Sequence, residues 1–305
     1  MPRVSIGLPV YNGDKYLSEA IESVLSQTYK HFELIISDNA STDQTQSICE
    51  RYAERDARIK YIRQDRNIGA ARNYNYVVDI ACGEYFAWIA HDDIYTQDFL
   101  LKNTIVLDQD PGVVLCFSRV IDIDEDGEFL RQMDDRLDTS SARPYRRFHD
   151  LLCRYHACFQ IFGLIRLEVL KNTQLIKSYA GSDRALLAEL SLRGRFCEIQ
   201  EVLFLHREHP LRSTRSNPKQ EMVAVWFDPN NEKLINIPTW RLLVDYIRII
   251  KNGPISWRQQ LMCTFTIVMW IKKNFKALLN DLGAAGMKLL HGYQYKHEDV
   301  SDLSD

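Results

Sequence analysis

Phe86-Ala87-Trp88-Ile89-Ala90-His91-Asp92-Asp93 sets five apolar residues in a row and ends them on an imidazole and two carboxylates. The apolar run predicts a short strand buried on both faces. Carboxylates are rarely buried without a partner. In an open α/β sheet the C-terminal ends of the strands border the ligand crevice. Neighbouring side chains on extended backbone point to opposite faces, so Asp92 and Asp93 are expected to divide two jobs, one on a divalent cation and one on a ligand hydroxyl. A plainer reading makes the pair favourable charge at the start of a helix expected from Tyr95 to Leu107.

Upstream of this stretch, strand and helix signals alternate. Val4 to Val10 reads as a strand, with Pro9 near its end because proline cannot donate a ladder bond. After the turn Tyr11-Asn12-Gly13-Asp14, the residues Leu17, Ala20, Ile21, Val24 and Leu25 recur at helical spacing. Phe32 to Ile36 is a second strand. It runs into Ser37-Asp38-Asn39-Ala40-Ser41-Thr42-Asp43, which holds helix-capping residues for Thr45 to Glu54. Ile59 to Ile62 is a third strand, and Asn67-Ile68-Gly69-Ala70-Ala71-Arg72-Asn73 feeds a helix running to about Ala81. Such alternation predicts a parallel sheet with right-handed crossovers.

Downstream the pattern is less regular. Val113 to Phe117 and Arg119 to Ile123 read as strand, turning at Asp126-Gly127. Asp122, Asp124, Asp126 and Gly127 imitate the start of a calcium loop, but Met133 stands where a bidentate glutamate is required, so a hairpin is expected instead. The charged residues 131 to 149 show no periodicity and read as a mobile surface loop. Ala157 to Leu164 returns to the core, Ala185 to Leu192 is a leucine-rich helix, and Phe196 to Leu205 is strand-like before His206-Arg207-Glu208-His209-Pro210. Domain boundaries are expected at 1–225, split into halves 3–115 and 116–225, followed by a helical extension 226–305. The apolar runs around Trp240 to Lys251 and Leu261 to Ile271 carry basic edges, fitting helices that pack on the body or touch a membrane surface. Lys296 to Asp305 is polar and expected to be disordered.

The 305 residues, 46% hydrophobic and 26% charged, suit an ordinary globular protein. A formal net charge of −3 argues against a nucleic-acid partner held by phosphate attraction. Seven cysteines without a CxxC pair read as reduced core residues of a cytoplasmic protein. Met1-Pro2-Arg3 leads straight into a strand, which leaves no secretory leader expected. No GxGxxG or GxxxxGK[ST] appears, which disfavours dinucleotide dehydrogenases and P-loop enzymes.

What the expected strand ends do share is a set of polar residues suited to an activated nucleotide. Tyr11 can stack on a base. Asp38 can accept from a ring N–H or cap a helix. Arg72 at a helix start suits phosphate or a base carbonyl. Asp93 can anchor Mg²⁺ or Mn²⁺, which favour oxygen ligands. A nucleotidyltransferase would use similar groups but would want a Gly-rich basic loop after the first strand. A non-catalytic sugar-nucleotide-binding subunit would not need the carboxylates, and a glycoside hydrolase would not need Asp38 with Arg72.

In their order, Pro9-Val10-Tyr11-Asn12, Ser37 to Asp43, Asn67 to Asn73 and His91-Asp92-Asp93 resemble the family 2 glycosyltransferases of the GT-A fold, over roughly residues 3 to 115. The resemblance implies a Rossmann-like α/β fold, mostly parallel with flanking helices, and an inverting, metal-dependent transferase using a nucleotide sugar, UDP being the commonest carrier. It implies that Pro9, Tyr11, Asn12, Asp38, Arg72, Asp92 and Asp93 bind the donor, with His-Asp-Asp as a DxD-like motif, Asp93 on the metal and Asp92 on ribose or sugar. It also implies a catalytic base in the second half. Asp183 of Gly181-Ser182-Asp183 is that candidate, with Ser182 where the family often has glutamate, and Asp150 is its rival. His206 and His209 are placed to reach the diphosphate or the metal. The implied acceptor is a saccharide or a lipid-linked hydroxyl in bacterial surface polysaccharide or glycolipid synthesis, at or near the inner face of a membrane.

Overall fold

Two-residue periodicity in the strands explains how the chain builds a layer with a core on each side. In β1 (Val4–Val10) and β4 (Tyr85–Trp88) every residue is buried. Tyr85 and Ala87 pack among the residues of one core while Phe86 and Trp88 pack in the other. β2 (Phe32–Asp38) does the same, with Leu34 and Ile36 on one side and Ile35 on the other. The structure is a computed structural model and describes residues 1–133, 137, 139–210, 212, 220–230 and 236–301.

With β3 (Ile59–Arg63), these strands form a parallel block ordered β3-β2-β1-β4. Helices α1 (Asp14–Leu25), α2 (Thr45–Arg55) and α3 (Ala70–Asp79) are the crossovers. β1 loses β4 as a neighbour after the pair Gly7↔Trp88, and Pro9 follows where no donor is needed on that side. Beyond β4 the sheet becomes mixed. β8 (Leu164–Arg166) runs antiparallel between β4 and β6 (Val113–Ile123), and β9 (Arg195–Arg207) pairs parallel with β6. β5 (Ile94–Tyr95) closes the far side, antiparallel to β9, while β7 (Phe129–Met133) forms a hairpin with β6. The whole is the GT-A arrangement of an α/β sheet with flanking helices.

Four expectations are corrected. The helix expected from Tyr95 begins at Phe99, as α4 (Phe99–Gln109). Tyr95 is 1% exposed, stacks on Phe99 at 3.7 Å, and its hydroxyl sits between the carbonyls of Trp88 (2.6 Å) and Phe162 (2.7 Å). Core burial therefore holds Ile94-Tyr95 in a strand, and Asp92-Asp93 lies in the turn between β4 and β5 instead of opening a helix. The two strands read on either side of Ser118 are one, β6, because β9 pairs along its whole length. The segment 131–149 is not all loop: β7 reaches Met133 and α5 (Pro144–Cys153) begins within it. There Arg147 is buried and donates to the carbonyls of Ser191 (2.7 Å) and Ser141 (2.6 Å), so the charge density hid a packed helix. Residues 134–136 and 138 of that segment lie outside the described residues. At the C-terminus helix continues through Ser301 where disorder was expected, and 302–305 lie outside the described residues.

The acidic run after β6 is a turn, as its sequence suggests. Asp124 Oδ1 accepts the backbone N–H groups of Asp126 (3.0 Å) and Glu128 (2.9 Å). After the short α6 (Leu167–Lys171) comes α7 (Ser182–Arg193). α8 (Gln220–Phe227), α9 (Pro238–Asn252) and α10 (Trp257–Ser301), kinked at Asn274, complete the chain. Leu242, Leu243, Tyr246, Ile249 and Ile250 of α9 join the core that holds Phe148, Leu187 and Trp88.

Candidate active site

The C-terminal ends of β3, β2, β1 and β4 lie side by side, with Val10 paired to Asp38 and Asp38 to Arg63. Their loops are wired to one another. Asn12, at φ 51°, receives Thr42 N–H on its side-chain oxygen (2.8 Å) and gives its own N–H to Ser41 Oγ (2.9 Å). Asparagine tolerates this left-handed conformation better than most residues. Tyr11 beside it is 42% exposed, an aromatic face open at the strand ends. Asp38 is fully buried. One carboxylate oxygen accepts Ser41 N–H (2.8 Å), and the other accepts the Tyr61 hydroxyl (3.0 Å) with Arg63 at 3.7 Å. It caps no helix, since α2 starts after Gln44, and instead fixes the loop Asn39–Ser41. Asn39 continues the wiring, receiving Ile68 N–H (2.8 Å) and donating to Asn67 (2.9 Å). Much of the quoted motif is scaffold that fixes where the crevice walls stand.

Arg72 lies in the first turn of α3 and is 56% exposed, its guanidinium 3.6 Å from Asp228. Gly69 precedes the helix at φ 86°, and a Cβ there would lie 2.6 Å from the Phe227 carbonyl oxygen. Only glycine lets the segment after α8 sit so close to the Arg72 loop.

The two carboxylates face different partners, set by the turn that carries them and not by strand alternation. Asp93 is 2% exposed, and its Oδ1 accepts the backbone N–H of Arg207 (3.0 Å). Burial, with the charge of Asp92, pushes its carboxyl up to about 7. Asp92 turns towards His209, whose Nε2 is 2.9 Å from Asp92 Oδ2. Burial would raise this carboxyl too, but His91 and His209 outweigh it and hold Asp92 below the usual carboxylate range. His91 packs on Gly13, where a Cβ would lie 2.4 Å from the imidazole. The histidine therefore fills space that a glycine leaves open, and its charge helps keep Asp92 ionised.

Arg207 bolts this turn to the rest of the molecule. It is 1% exposed, and it donates to the carbonyls of Asp92, Asp124 and Glu125 (3.1 Å each) and to Glu19 (2.5 Å). Its guanidinium lies 4.7 Å from the centre of the Tyr16 ring, which also meets His209 at 4.8 Å. Arg207, Tyr16 and Glu19 went unread in the sequence. The available signal was an arginine between two histidines just after the apolar run Val202-Leu203-Phe204-Leu205.

His206 and His209 face different groups. His206 Nδ1 is 2.8 Å from Asp122 Oδ1, across the parallel pair β6–β9. Asp122, His206 and Glu208 offer ligand atoms within 4.8 Å of one another, a set able to hold a metal ion. Arg131, however, donates to Asp122 at 2.6 Å and approaches Glu208 at 3.9 Å. His209 is 4% exposed, and its second ring nitrogen has no partner among the described residues. Asp92 supplies a carboxylate of the oxygen-donor type that Mn²⁺ and Mg²⁺ favour, and His209 Nε2 is the imidazole nitrogen beside it.

Asp183 begins α7, half-buried, with its Oδ1 on the Arg184 N–H (2.9 Å). Ser182 is fully buried and faces the core, so glutamate's absence at that position leaves Asp183 as the accessible acid. Asn75 on α3 pairs with both backbone groups of Ile176, tying the approach to α7 to the helix that carries Arg72. Asp150 lies on α5, 8% exposed, beside Arg154 (3.3 Å) and His149 (3.4 Å).

A parallel block with ligand-competent loops at its strand ends, and an acidic pair beyond its last parallel strand, defines a GT-A glycosyltransferase. The family model for glycosyl transferase family 2 matches residues 5–173, and the chain belongs to that family. An uncharacterized glycosyltransferase of Rickettsia typhi is 30% identical over 243 residues, covering 74% of this chain and 70% of its own. The putative teichuronic acid biosynthesis glycosyltransferase TuaG of Bacillus subtilis is 39% identical over 102 residues, 33% of this chain and 40% of TuaG. Among solved structures, residues 1–349 of S. aureus TarS in complex with UDP-GlcNAc superpose with a TM-score of 0.68 at 16% identity, covering 94% of this chain and 81% of that one. The mannosyltransferase PcManGT of Pyrobaculum calidifontis, in complex with GDP-Man and Mn²⁺, gives a TM-score of 0.50 at 18% identity over 95% and 87% of the two chains.

Proposed function

We propose that the chain moves a sugar from a UDP-sugar to a hydroxyl of a saccharide or lipid-linked acceptor, with inversion, in bacterial surface polysaccharide or glycolipid synthesis. The observation that carries this is the meeting of Asp92, Asp93, Arg207 and His209 at the end of the sheet where Tyr11 follows β1, Asp38 ends β2 and Arg72 lies in the first turn of α3. The UDP-GlcNAc bound in the TarS complex and the putative teichuronic acid biosynthesis role of TuaG favour the carrier and the pathway class.

Tyr11 stacks on the base, in a turn shaped by Pro9 and Asn12, and Asp38 fixes the loop that bounds the base. Asp92, with His209 beside it, would hold Mn²⁺ or Mg²⁺, and Asp93 takes part as the buried anchor that locks the turn to β9. The family resemblance puts the metal on Asp93; burial of that carboxylate against the Arg207 N–H, with Asp92 next to an imidazole, favours Asp92 in this proposal. A bound cation would supply positive charge to the leaving diphosphate. Arg72, once it leaves Asp228, adds a guanidinium whose stabilisation is greatest as that charge develops. Asp183 takes the proton from the acceptor hydroxyl, which attacks the anomeric carbon opposite the leaving group. The work is done in the cytoplasm, at the inner face of the membrane where lipid-linked acceptors lie.

The test is turnover of a panel of UDP- and GDP-sugars by purified protein with Mn²⁺, scored as released nucleoside diphosphate. Release from a UDP-sugar is expected. Donor binding with no turnover on any sugar would make the chain a binding subunit instead.

A further inference from the structure

We propose that the first half of α10 is a dock for an anionic lipid surface. This deepens the membrane-side part of the reading above and needs none of its chemistry. Before the kink at Asn274, Trp257, Leu261, Phe265 and Val268 recur at helical spacing, and all are exposed, Trp257 at 68% and Phe265 at 58%. The opposite side of the same helix is buried through Cys263, Ile267 and Trp270. The helix is therefore apolar on two faces, and only one has protein to cover it. Past the kink, Phe275 and Leu279 are exposed as well.

Charge decides what covers the open face. From Trp257 to Asn280 there are four basic side chains, Arg258, Lys272, Lys273 and Lys276, and no Asp or Glu, although the whole chain is net acidic. All four are exposed, and only Lys273 is tied back, to the Cys153 carbonyl at 2.8 Å. Apolar rings flanked by cations alone match an anionic headgroup layer over hydrocarbon, into which such a helix sinks its apolar face while lysine stems reach out to the headgroups. A self-associating face would gain little from four like charges brought against their copies. No helix among the described residues is long and apolar enough to cross a membrane, so this helix would lie along the surface.

The experiment is co-sedimentation of the full chain with vesicles of phosphatidylcholine alone or mixed with about 30% phosphatidylglycerol. Binding to the anionic vesicles is expected, at least tenfold weaker on neutral ones and weakened by salt. Leu261→Glu with Phe265→Glu, and separately Lys272→Glu with Lys276→Glu, should each lose at least tenfold, with circular dichroism and donor binding unchanged. No binding to anionic vesicles, or wild-type binding by the Leu261/Phe265 variant, overturns the proposal. A dimer in sedimentation velocity that the same variant dissociates, without vesicle binding, overturns it in favour of self-association. Transfer to a soluble acceptor is measured alongside, so failure of the dock and failure of the transferase reading stay separate.

Discussion

Replacing Arg207 with methionine tests whether the acidic turn is held from β9. The substitution keeps an unbranched apolar stem and removes the guanidinium, leaving the carbonyls of Asp92 and Glu125 without their donor, while that of Asp124 keeps the Gly127 N–H (3.2 Å). At about 1–1.5 kcal/mol for each orphaned acceptor, the loss is about 2–3 kcal/mol. Glu19 is 53% exposed and adds nothing to this sum, because water screens it. With a urea slope of about 3 kcal/mol/M, the unfolding midpoint falls by roughly 0.7–1 M. Arg207→Lys keeps the charge but not the fork, and should recover less than half of the loss. Sugar transfer should fall at least tenfold even below the unfolding range, because Asp92 loses a tether to its own backbone. A loss under about 1 kcal/mol in Arg207→Met with full transfer would show that the turn stands without this bolt, and the reasoning would be wrong.

Further expectations concern single groups. Asp183→Asn should keep donor affinity in calorimetry and lower kcat by about a hundredfold or more; normal transfer would remove Asp183 as the base. Asp92→Asn should abolish Mn²⁺-dependent tightening of donor binding, whereas Asp93→Asn should mainly lower the thermal midpoint, and the reverse pattern would return the metal to Asp93. Gly69→Ala forces a side chain at φ 86° against the Phe227 carbonyl; it should cost about 1–2 kcal/mol and speed limited proteolysis within 220–230. Asp122 is held below the ordinary carboxylate range: burial opposes this, but bonds from His206 and Arg131 prevail. Its folded value lies below its unfolded value, so its contribution is present above about pH 4 and is lost as pH falls further. Acid unfolding should start at lower pH in wild type than after Asp122→Ala.

The N-terminal half was legible because its signals are local. Strands buried on both faces announce themselves as apolar runs, and the polar motifs stand where those runs stop. The parallel pairing of β1 to β4 follows from that alternation, while their order β3-β2-β1-β4 is seen only in the structure. What lay hidden depends on partners far along the chain. Tyr95 looked like the start of a helix because nothing near it in sequence shows that β9, over a hundred residues later, will pair with it. Arg147 and its charged neighbours looked like loop because their partners, such as the Ser191 carbonyl, are remote. In the site, residue types pointed to Asp92, Asp93 and Asp183, but the different partners of Asp92 and Asp93, His209 for one and the Arg207 N–H for the other, are remote in sequence.

The bolt from Arg207 also has a consequence for how the protein is made. A nascent chain that has cleared the ribosome only to residue 150 already carries every family motif up to Asp93, yet its acidic turn has neither a strand beside it nor a guanidinium across it. The acidic turn therefore takes its folded form late in synthesis, when β9 and Arg207 arrive.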